Sequence, residues 1–267
     1  MPLINVNNHQ MYYEIHGAGE PVICSGGWGT FCHGDVGHLP RGLTDRYKVV
    51  IFDHRGIGQS SDDMVVSSTT RLYADDVIGL LCELGIGNAH FVGIIGIGAC
   101  IFQEVAIQRP DLVRSLVNTG TWARPDTKFR DQLTLWLDIH RVMGFEAFQR
   151  MVVMEGFDPE FYEAKKASLL GPDGAWRDLR GRIDTHQRLT EAGLSHDTLD
   201  RLSQITAPTL VMHNGYDVIT APRLTLPVEK GIPGARGHWM PGAAHVATGR
   251  EARAEFCGVL LDFLADY

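Results

Sequence analysis

Short apolar runs that stop abruptly at Gly, Asp, Asn or Thr recur along the chain. Val22–Cys24, Val49–Phe52, Phe91–Ile94, Leu116–Asn118 and Leu210–Met212 are runs of this kind, the pattern of strands buried on both faces. Ahead of them, Leu3–Val6 and Met11–Ile15 flank the turn residues Asn7 and Asn8 and predict a hairpin. Between the runs, apolar residues fall at helical spacing. Tyr73, Val77, Leu80, Leu81 and Leu84 make one stripe, and Ala252, Phe256, Val259, Leu260 and Phe263 make another. Strands alternating with helices predict an α/β chain with a mostly parallel sheet covered on both faces.

The alternation breaks between about residues 123 and 204. That stretch holds amphipathic segments such as Phe129–Val142 and Phe145–Met154 and no convincing strand. It reads as a helical insertion dividing one core domain into two parts, 1–122 and 205–267. An insertion after a strand's carboxyl end would lie over the crevice where open α/β sheets bind ligands, which predicts a lid. A second helical layer packed elsewhere is the alternative.

Composition narrows the partners. With 267 residues the chain can bury the core of one large domain. Apolar residues make up 44% and charged ones 21%, a globular balance in which disorder is not the main state. A net charge of −8 offers no extended positive field, so nucleic acid is not an expected partner. No stretch reaches the roughly 20 apolar residues of a membrane span, and the start, Met1-Pro2-Leu3-Ile4-Asn5, does not read as a secretion signal. The five scattered cysteines, Cys24, Cys32, Cys82, Cys100 and Cys257, contain no C-x-x-C pair. They suit free thiols in a reducing compartment, so a soluble cytoplasmic protein is expected.

Three segments carry a family signature. Asp53-His54-Arg55-Gly56-Ile57-Gly58-Gln59-Ser60 follows a buried strand and resembles the D-x-R-G-x-G-x-S turn of the α/β-hydrolase superfamily. Pro208 through Asp217 resembles the strand and turn that carry that family's acid, and Pro241-Gly242-Ala243-Ala244-His245 the loop that carries its histidine. The resemblance spans nearly the whole chain. It implies a mostly parallel eight-stranded sheet with helices on both faces and a helical cap. It also implies that His245 is the general base and that Asp217 orients it and stabilises the imidazolium. Fold alone does not settle function.

The chain departs from the family at the nucleophile. The superfamily lifts its nucleophile on a sharp strand-to-helix turn of form G-x-S-x-G. Here the turn reads Val92-Gly93-Ile94-Ile95-Gly96-Ile97-Gly98-Ala99-Cys100. Matching the helix that follows puts Gly96 at the nucleophile position, Gly98 at the second glycine and Ile94 at the first. Sliding the register by one puts Ile95 at the nucleophile position, so neither choice supplies Ser, Cys or Asp, and no acyl-enzyme can form there. An engineered replacement would change one residue, whereas the first glycine is missing as well. A displaced nucleophile would have to be Cys100, Cys24 or Ser25. The remaining explanation is chemistry that needs a base and an oxyanion hole but no covalent intermediate.

Ser25-Gly26-Gly27-Trp28-Gly29 stands where the family has His-Gly-x-Gly. The resemblance assigns oxyanion donation to the N–H of Gly27 or Trp28 together with that of Ile97 at the following helix start. Trp28, Trp122, Trp136, His140 and Trp176 are the candidate pocket residues, which predicts an aromatic, largely apolar cavity. His33 and His38 lack a carboxylate partner and no H-E-x-x-H occurs, so no metal site is expected. Gly93, Gly96 and Gly98 have the wrong spacing for a dinucleotide loop, so no cofactor is expected.

The expected function is therefore His–Asp general-base chemistry on a small, largely apolar carbonyl, ester, lactone or phenolic compound. Carbon–carbon cleavage, decarboxylation, elimination, cofactor-free oxygenation and water-mediated hydrolysis all fit these residues. The rival readings are a ligand-binding protein that has lost catalysis and a serine hydrolase whose serine has become Gly96. A monomer and a homodimer are both compatible with the sequence.

Overall fold

Alternation along each strand places successive side chains on opposite faces of one sheet, and two hydrophobic cores follow from it. The computed structural model describes residues 3–28 and 39–267. Met1, Pro2, Gly29, Cys32, His33 and His38, named above, lie outside the described residues. The strands are β1 (Leu3–Val6), β2 (His9–His16), β3 (Glu20–Ser25), β4 (Tyr47–Phe52), β5 (Ala89–Gly93), β6 (Val113–Thr119), β7 (Thr209–Asn214) and β8 (Arg236–Met240). They form one eight-stranded sheet in the order β1-β2-β4-β3-β5-β6-β7-β8. The pairs β1/β2 and β2/β4 are antiparallel and all the others parallel.

The helices are α1 (Leu43–Arg46), α2 (Thr70–Glu83), α3 (Ile97–Gln108), α4 (Thr127–Met143), α5 (Phe145–Gly156), α6 (Pro159–Leu169), α7 (Ile183–Ser195), α8 (Pro222–Gly231) and α9 (Arg250–Ala265). Val22, Cys24, Val92, Val117, Leu210 and Met212 point to one face, where they pack with Leu43 of α1 and Leu260 and Phe263 of α9. Ile23, Phe91, Leu116 and Val211 point to the other, with residues of α2, α3 and α8. Each fully buried aliphatic or aromatic side chain of this kind contributes about 1.5–3 kcal/mol. The expected double covering of the sheet is present.

Between β6 and β7 the chain forms α4 to α7 and short 3₁₀ turns, with no strand among residues 123–204. Thr198 N–H donates to Ala123 O at 2.8 Å and closes the two ends of this segment onto each other. Asp126 caps α4 through Phe129 N–H, and Asp158 caps α6 through Phe161 N–H with Pro159 at its first position. Arg182 donates to Gly56 O at 2.7 Å and Gly58 O at 3.0 Å, and Arg188 pairs with Asp62 at 2.8 Å, so α7 and the turn before it are latched to the loop after β4. Arg223 of α8 pairs with Asp126 at 2.7 Å on the opposite side.

Parallel register sets the location of the site. Ser25 pairs with Gly93, Gly93 with Asn118, Thr119 with Met212 and Asn214 with Met240, so five strands end along one edge. The peptides that leave that edge carry the candidate chemistry, as expected for an open α/β sheet.

Candidate active site

Asp217 leaves β7 through a turn that only glycine fits, since a Cβ on Gly215 would lie 2.6 Å from Pro241 O. Its carboxylate is buried and takes four donors. Oδ1 accepts from the N–H groups of Ile219 and Thr220, both at 2.8 Å, and Oδ2 accepts from Thr220 Oγ1 at 2.7 Å and His245 Nδ1 at 2.9 Å. Burial pushes this carboxyl up, but the His245 charge and the bonds from His245 and Thr220 outweigh it and hold Asp217 below the usual carboxylate range.

His245 sits in the loop after β8. Asn214 Nδ2 donates to Ala244 O at 2.7 Å and His245 O at 3.3 Å, while Val246 N–H donates to Gly156 O at 2.9 Å. The loop is thus held from the sheet on one side and from α5 on the other. Because a carboxylate only accepts, the Asp217 contact assigns the ring proton to Nδ1 and leaves Nε2 as the basic nitrogen. Thr220 Oγ1 also lies 3.1 Å from Nδ1. Thr220 is a site residue that no motif marked. Its only signal is a hydroxyl three residues after the acid, the spacing of a side chain that folds back onto an Asp turn.

The turn from β5 into α3 is cramped. A Cβ on Gly93 would collide with Ala99, one on Gly98 would lie 2.5 Å from Ser25 Oγ, and one on Gly27 would lie 2.5 Å from Ile95 Cγ2. Gly96 differs. Its backbone stands at φ 63°, ψ −128°, a conformation that costs a residue with a Cβ and costs glycine little. Ala99 N–H donates to Gly96 O at 3.1 Å, which starts α3, and Gly96 N–H donates to Gly120 O at 3.0 Å. A Cβ on Gly120 would meet both His245 Cε1, at 3.2 Å, and Gly96 N, at 3.4 Å, so the imidazole and this turn face each other across one glycine.

Gly96, His245, Gly27 and Trp28 line one cavity of about 420 Å³. Trp122, Trp136 and Trp176 line it as well. Trp28 and Trp136 meet edge to face at 6.3 Å, and Trp136 Nε1 donates to Glu155 at 3.0 Å. Trp176 holds a left-handed backbone at φ 58°. Ile97 does not reach the cavity. Its side chain is buried in the core, and its N–H lies at the start of α3, where no intrahelical acceptor exists.

His140 is not a pocket residue. His140 lies one helical turn beyond Trp136, but it does not line the cavity. It stacks on Phe148 at 5.4 Å, and its Nδ1 meets His186 Nδ1 at 2.9 Å. Burial pushes its pKa down, as expected of a core histidine. The displaced-nucleophile candidates also fall away from the cavity. Cys24 and Cys100 are fully buried, with thiols pushed up by burial, that of Cys100 to about 12. Ser25 Oγ is engaged by His54 Nε2 at 3.0 Å inside the core. Among the described residues no cluster of three or more His, Cys, Asp or Glu is arranged to hold a metal ion, and no helix is long and apolar enough to cross a membrane.

Comparison with known proteins bears on the family and the fold. Residues 34–249 match the family model Hydrolase_4, described as serine aminopeptidase, S33. A protein of Azorhizobium caulinodans named "Putative carbamate hydrolase RutD" is 30% identical over 274 residues, covering 97% of this chain and 98% of the relative. The crystal structure of MGS-M2, an α/β-hydrolase enzyme from a Medee basin deep-sea metagenome library, superposes with a TM-score of 0.87 at 22% identity, covering 99% of this chain and 97% of the other. The enol-lactonase from Burkholderia xenovorans LB400 superposes with a TM-score of 0.83 at 23% identity, covering 99% and 100%. Sheet order, strand directions and these likenesses agree on the α/β-hydrolase fold. The chain belongs to the Hydrolase_4 (serine aminopeptidase, S33) family and is a hydrolase of the α/β-hydrolase superfamily.

Proposed function

We propose that this protein hydrolyses a small carbonyl compound with an apolar body, an ester, lactone or carbamate, by direct attack of a water that His245 activates. The observation that carries the reading is Gly96. The positive-φ residue between β5 and α3, which lines one cavity with the histidine, has no side chain to acylate. Of the four Ser and Thr side chains among the described residues that line the same cavity, Thr220 donates to Asp217, Thr119 to Ile94 O and Thr248 to Asp158.

His245 Nε2 takes the proton as the water oxygen bonds to the carbonyl carbon. Asp217 keeps the imidazole in the tautomer that can accept it and stabilises the imidazolium. The N–H of Gly27 or Trp28 receives the developing oxyanion, with the positive end of α3 starting at the cavity-lining Gly96. When the carbonyl re-forms, His245 returns its proton to the leaving group. Proton abstraction from carbon would use the same base, and the hydrolase relatives favour water as the acceptor's partner.

The substrate's size follows from the walls. A bare carbamate has four heavy atoms, whereas a cavity of about 420 Å³ walled by four tryptophans suits a larger, apolar-bodied ligand. Residues 123–204 act in this reading as the cap, because Trp136 and Trp176 within them complete the wall. The scattered cysteines suit free thiols and so support a reducing, cytoplasmic compartment.

His245→Ala and Asp217→Asn test the reading. Each is expected to lower kcat/KM toward para-nitrophenyl esters by about 10²–10⁴-fold, which corresponds to about 3–5 kcal/mol of transition-state stabilisation. Full turnover in either variant would remove the dyad from the mechanism.

A further inference from the structure

The loop that carries His245 is held in two halves by different parts of the molecule. On the β8 side, Asn214 Nδ2 and Tyr216 N–H donate to the carbonyls of residues 243–245 and fasten them to the end of β7 and the turn after it. On the α9 side the partners change. Val246 N–H donates to Gly156 O at 2.9 Å, and Thr248 Oγ1 donates to Asp158 Oδ2 at 2.8 Å. Among the described residues these two bonds hold residues 246–248, and both end on the corner between α5 and α6, 90 positions earlier in the chain.

That corner owes its place to the same contacts. Helix α6 buries no residue, so core packing does not fix where it lies. Its first turn does. Asp158 Oδ1 accepts from Phe161 N–H at 2.8 Å while Oδ2 takes the Thr248 hydroxyl, so one carboxylate both caps the helix and ties it to the histidine's loop. Phe157 and Phe161 stack across this turn with ring centroids 5.6 Å apart. Gly156 permits the close approach, because a Cβ there would lie 3.3 Å from Trp176 Cη2 and 4.0 Å from Val246 Cγ2. Val246 and Thr248 line the same cavity as His245.

We infer that Asp158 and Thr248 are positioning residues for His245, a clamp that sets where the basic nitrogen stands over the cavity. The inference rests on His245 being the base and deepens that reading by naming what aims it. Asp217 and Thr220 hold the ring through Nδ1, but the backbone from which the ring hangs is placed by the bonds on either side. Misplacing a reacting group by about 1 Å costs on the order of 10²-fold in rate. A loosened clamp therefore slows the chemical step more than it weakens substrate binding.

The experiment measures kcat and KM separately with para-nitrophenyl butyrate. Thr248→Val keeps the side chain's shape and removes its donor; kcat is expected to fall about tenfold with KM within about twofold. Thr248→Ser keeps the hydroxyl and is expected to restore kcat. Asp158→Ser retains a hydroxyl that caps α6 but is too short to reach Thr248 as well, so it should lower kcat to the same extent. Because the two side chains act as a pair, the double variant should be no slower than either single one. Full kcat in a Thr248→Val protein that keeps its melting transition would overturn the clamp and leave hydrolysis by His245 standing. A raised KM at unchanged kcat would overturn it too, by making Thr248 a substrate contact. Losses that multiply in the double variant, or a loss in Thr248→Ser as deep as in Thr248→Val, would do the same. Full turnover in His245→Ala would remove the base and the clamp together. If Thr248→Val does not fold, kcat in Asp158→Ser decides the question, and an unchanged value there contradicts the inference.

Discussion

His54 follows β4 and meets a serine hydroxyl, Ser25 Oγ, at 3.0 Å, while His245 follows β8 and meets a carboxylate, Asp217 Oδ2, at 2.9 Å. Both rings stand at the carboxyl edge of one sheet. The first pair contains the two residue types of a nucleophile and its base, yet it is sealed between Phe52 and Tyr73, with ring centroids at 5.1 and 5.8 Å. Nothing acidic bonds His54 among the described residues, and burial pushes its pKa down to about 4. The second pair holds no serine but has an acid, an open nitrogen and a cavity. A hydrogen bond between suitable residue types is thus a weak sign of catalysis. A charge partner and access to ligand discriminate better.

Acidification tests the sealing of His54 with the largest expected effect. His54 and His90, at about 4, and His186 and His196, at about 3, are held neutral by burial. Their folded values lie below the unfolded value near 6.5. Stability from these groups is therefore complete above about pH 6.5 and is lost as pH falls toward their folded values. Asp53, raised to about 7 by burial, titrates with the opposite sign between about pH 4 and 7, and Asp75 and Asp76 are raised in the same direction. The depressed histidines outweigh them, and the melting temperature is expected to fall between pH 7 and 5 by an amount equivalent to a few kcal/mol. His54→Gln should make that fall shallower. A melting temperature flat over this range would show that His54 is not the sealed neutral group described.

Ser25→Ala is the smaller test. Losing the buried bond to His54 is expected to cost about 1–2 kcal/mol of stability, while kcat/KM changes by less than about tenfold. An activity loss as deep as that expected for His245→Ala would make Ser25 part of the chemistry and erase the contrast.

The same contrast explains what could be read from the residues alone. Strands β1 to β7 were legible because their alternating or continuous apolar runs are the sheet's two buried faces. β8, Arg-Gly-His-Trp-Met, escaped because it is an edge strand whose side chains are mostly exposed, so it carries no apolar run. α6 escaped similarly, since it buries no residue and shows only its Asp158 cap and Pro159. Asp217 and His245 were marked by motif, and the structure brings them together. Thr220 was not, because a hydroxyl in a turn usually serves the turn, and only the fold shows it shared between the carboxylate and the imidazole. His140 was misplaced because one helical stripe carries both cavity residues such as Trp136 and residues that pack against α5 and α7. The latch of Arg182 and Arg188 onto residues 56–62 joins parts of the chain more than a hundred positions apart, which local pattern cannot convey.

In the proposed reaction, turnover proceeds without a covalent intermediate because residue 96 has no side chain. Intact-protein mass measurement after exposure to a fluorophosphonate, beside ester turnover, tests it directly in the unaltered protein and in Gly96→Ser. One phosphonyl adduct is expected at residue 96 of the Gly96→Ser variant, and no adduct with undiminished turnover in the unaltered protein. Stoichiometric labelling of the unaltered protein on any other side chain, with loss of its activity, would show that turnover uses a covalent nucleophile.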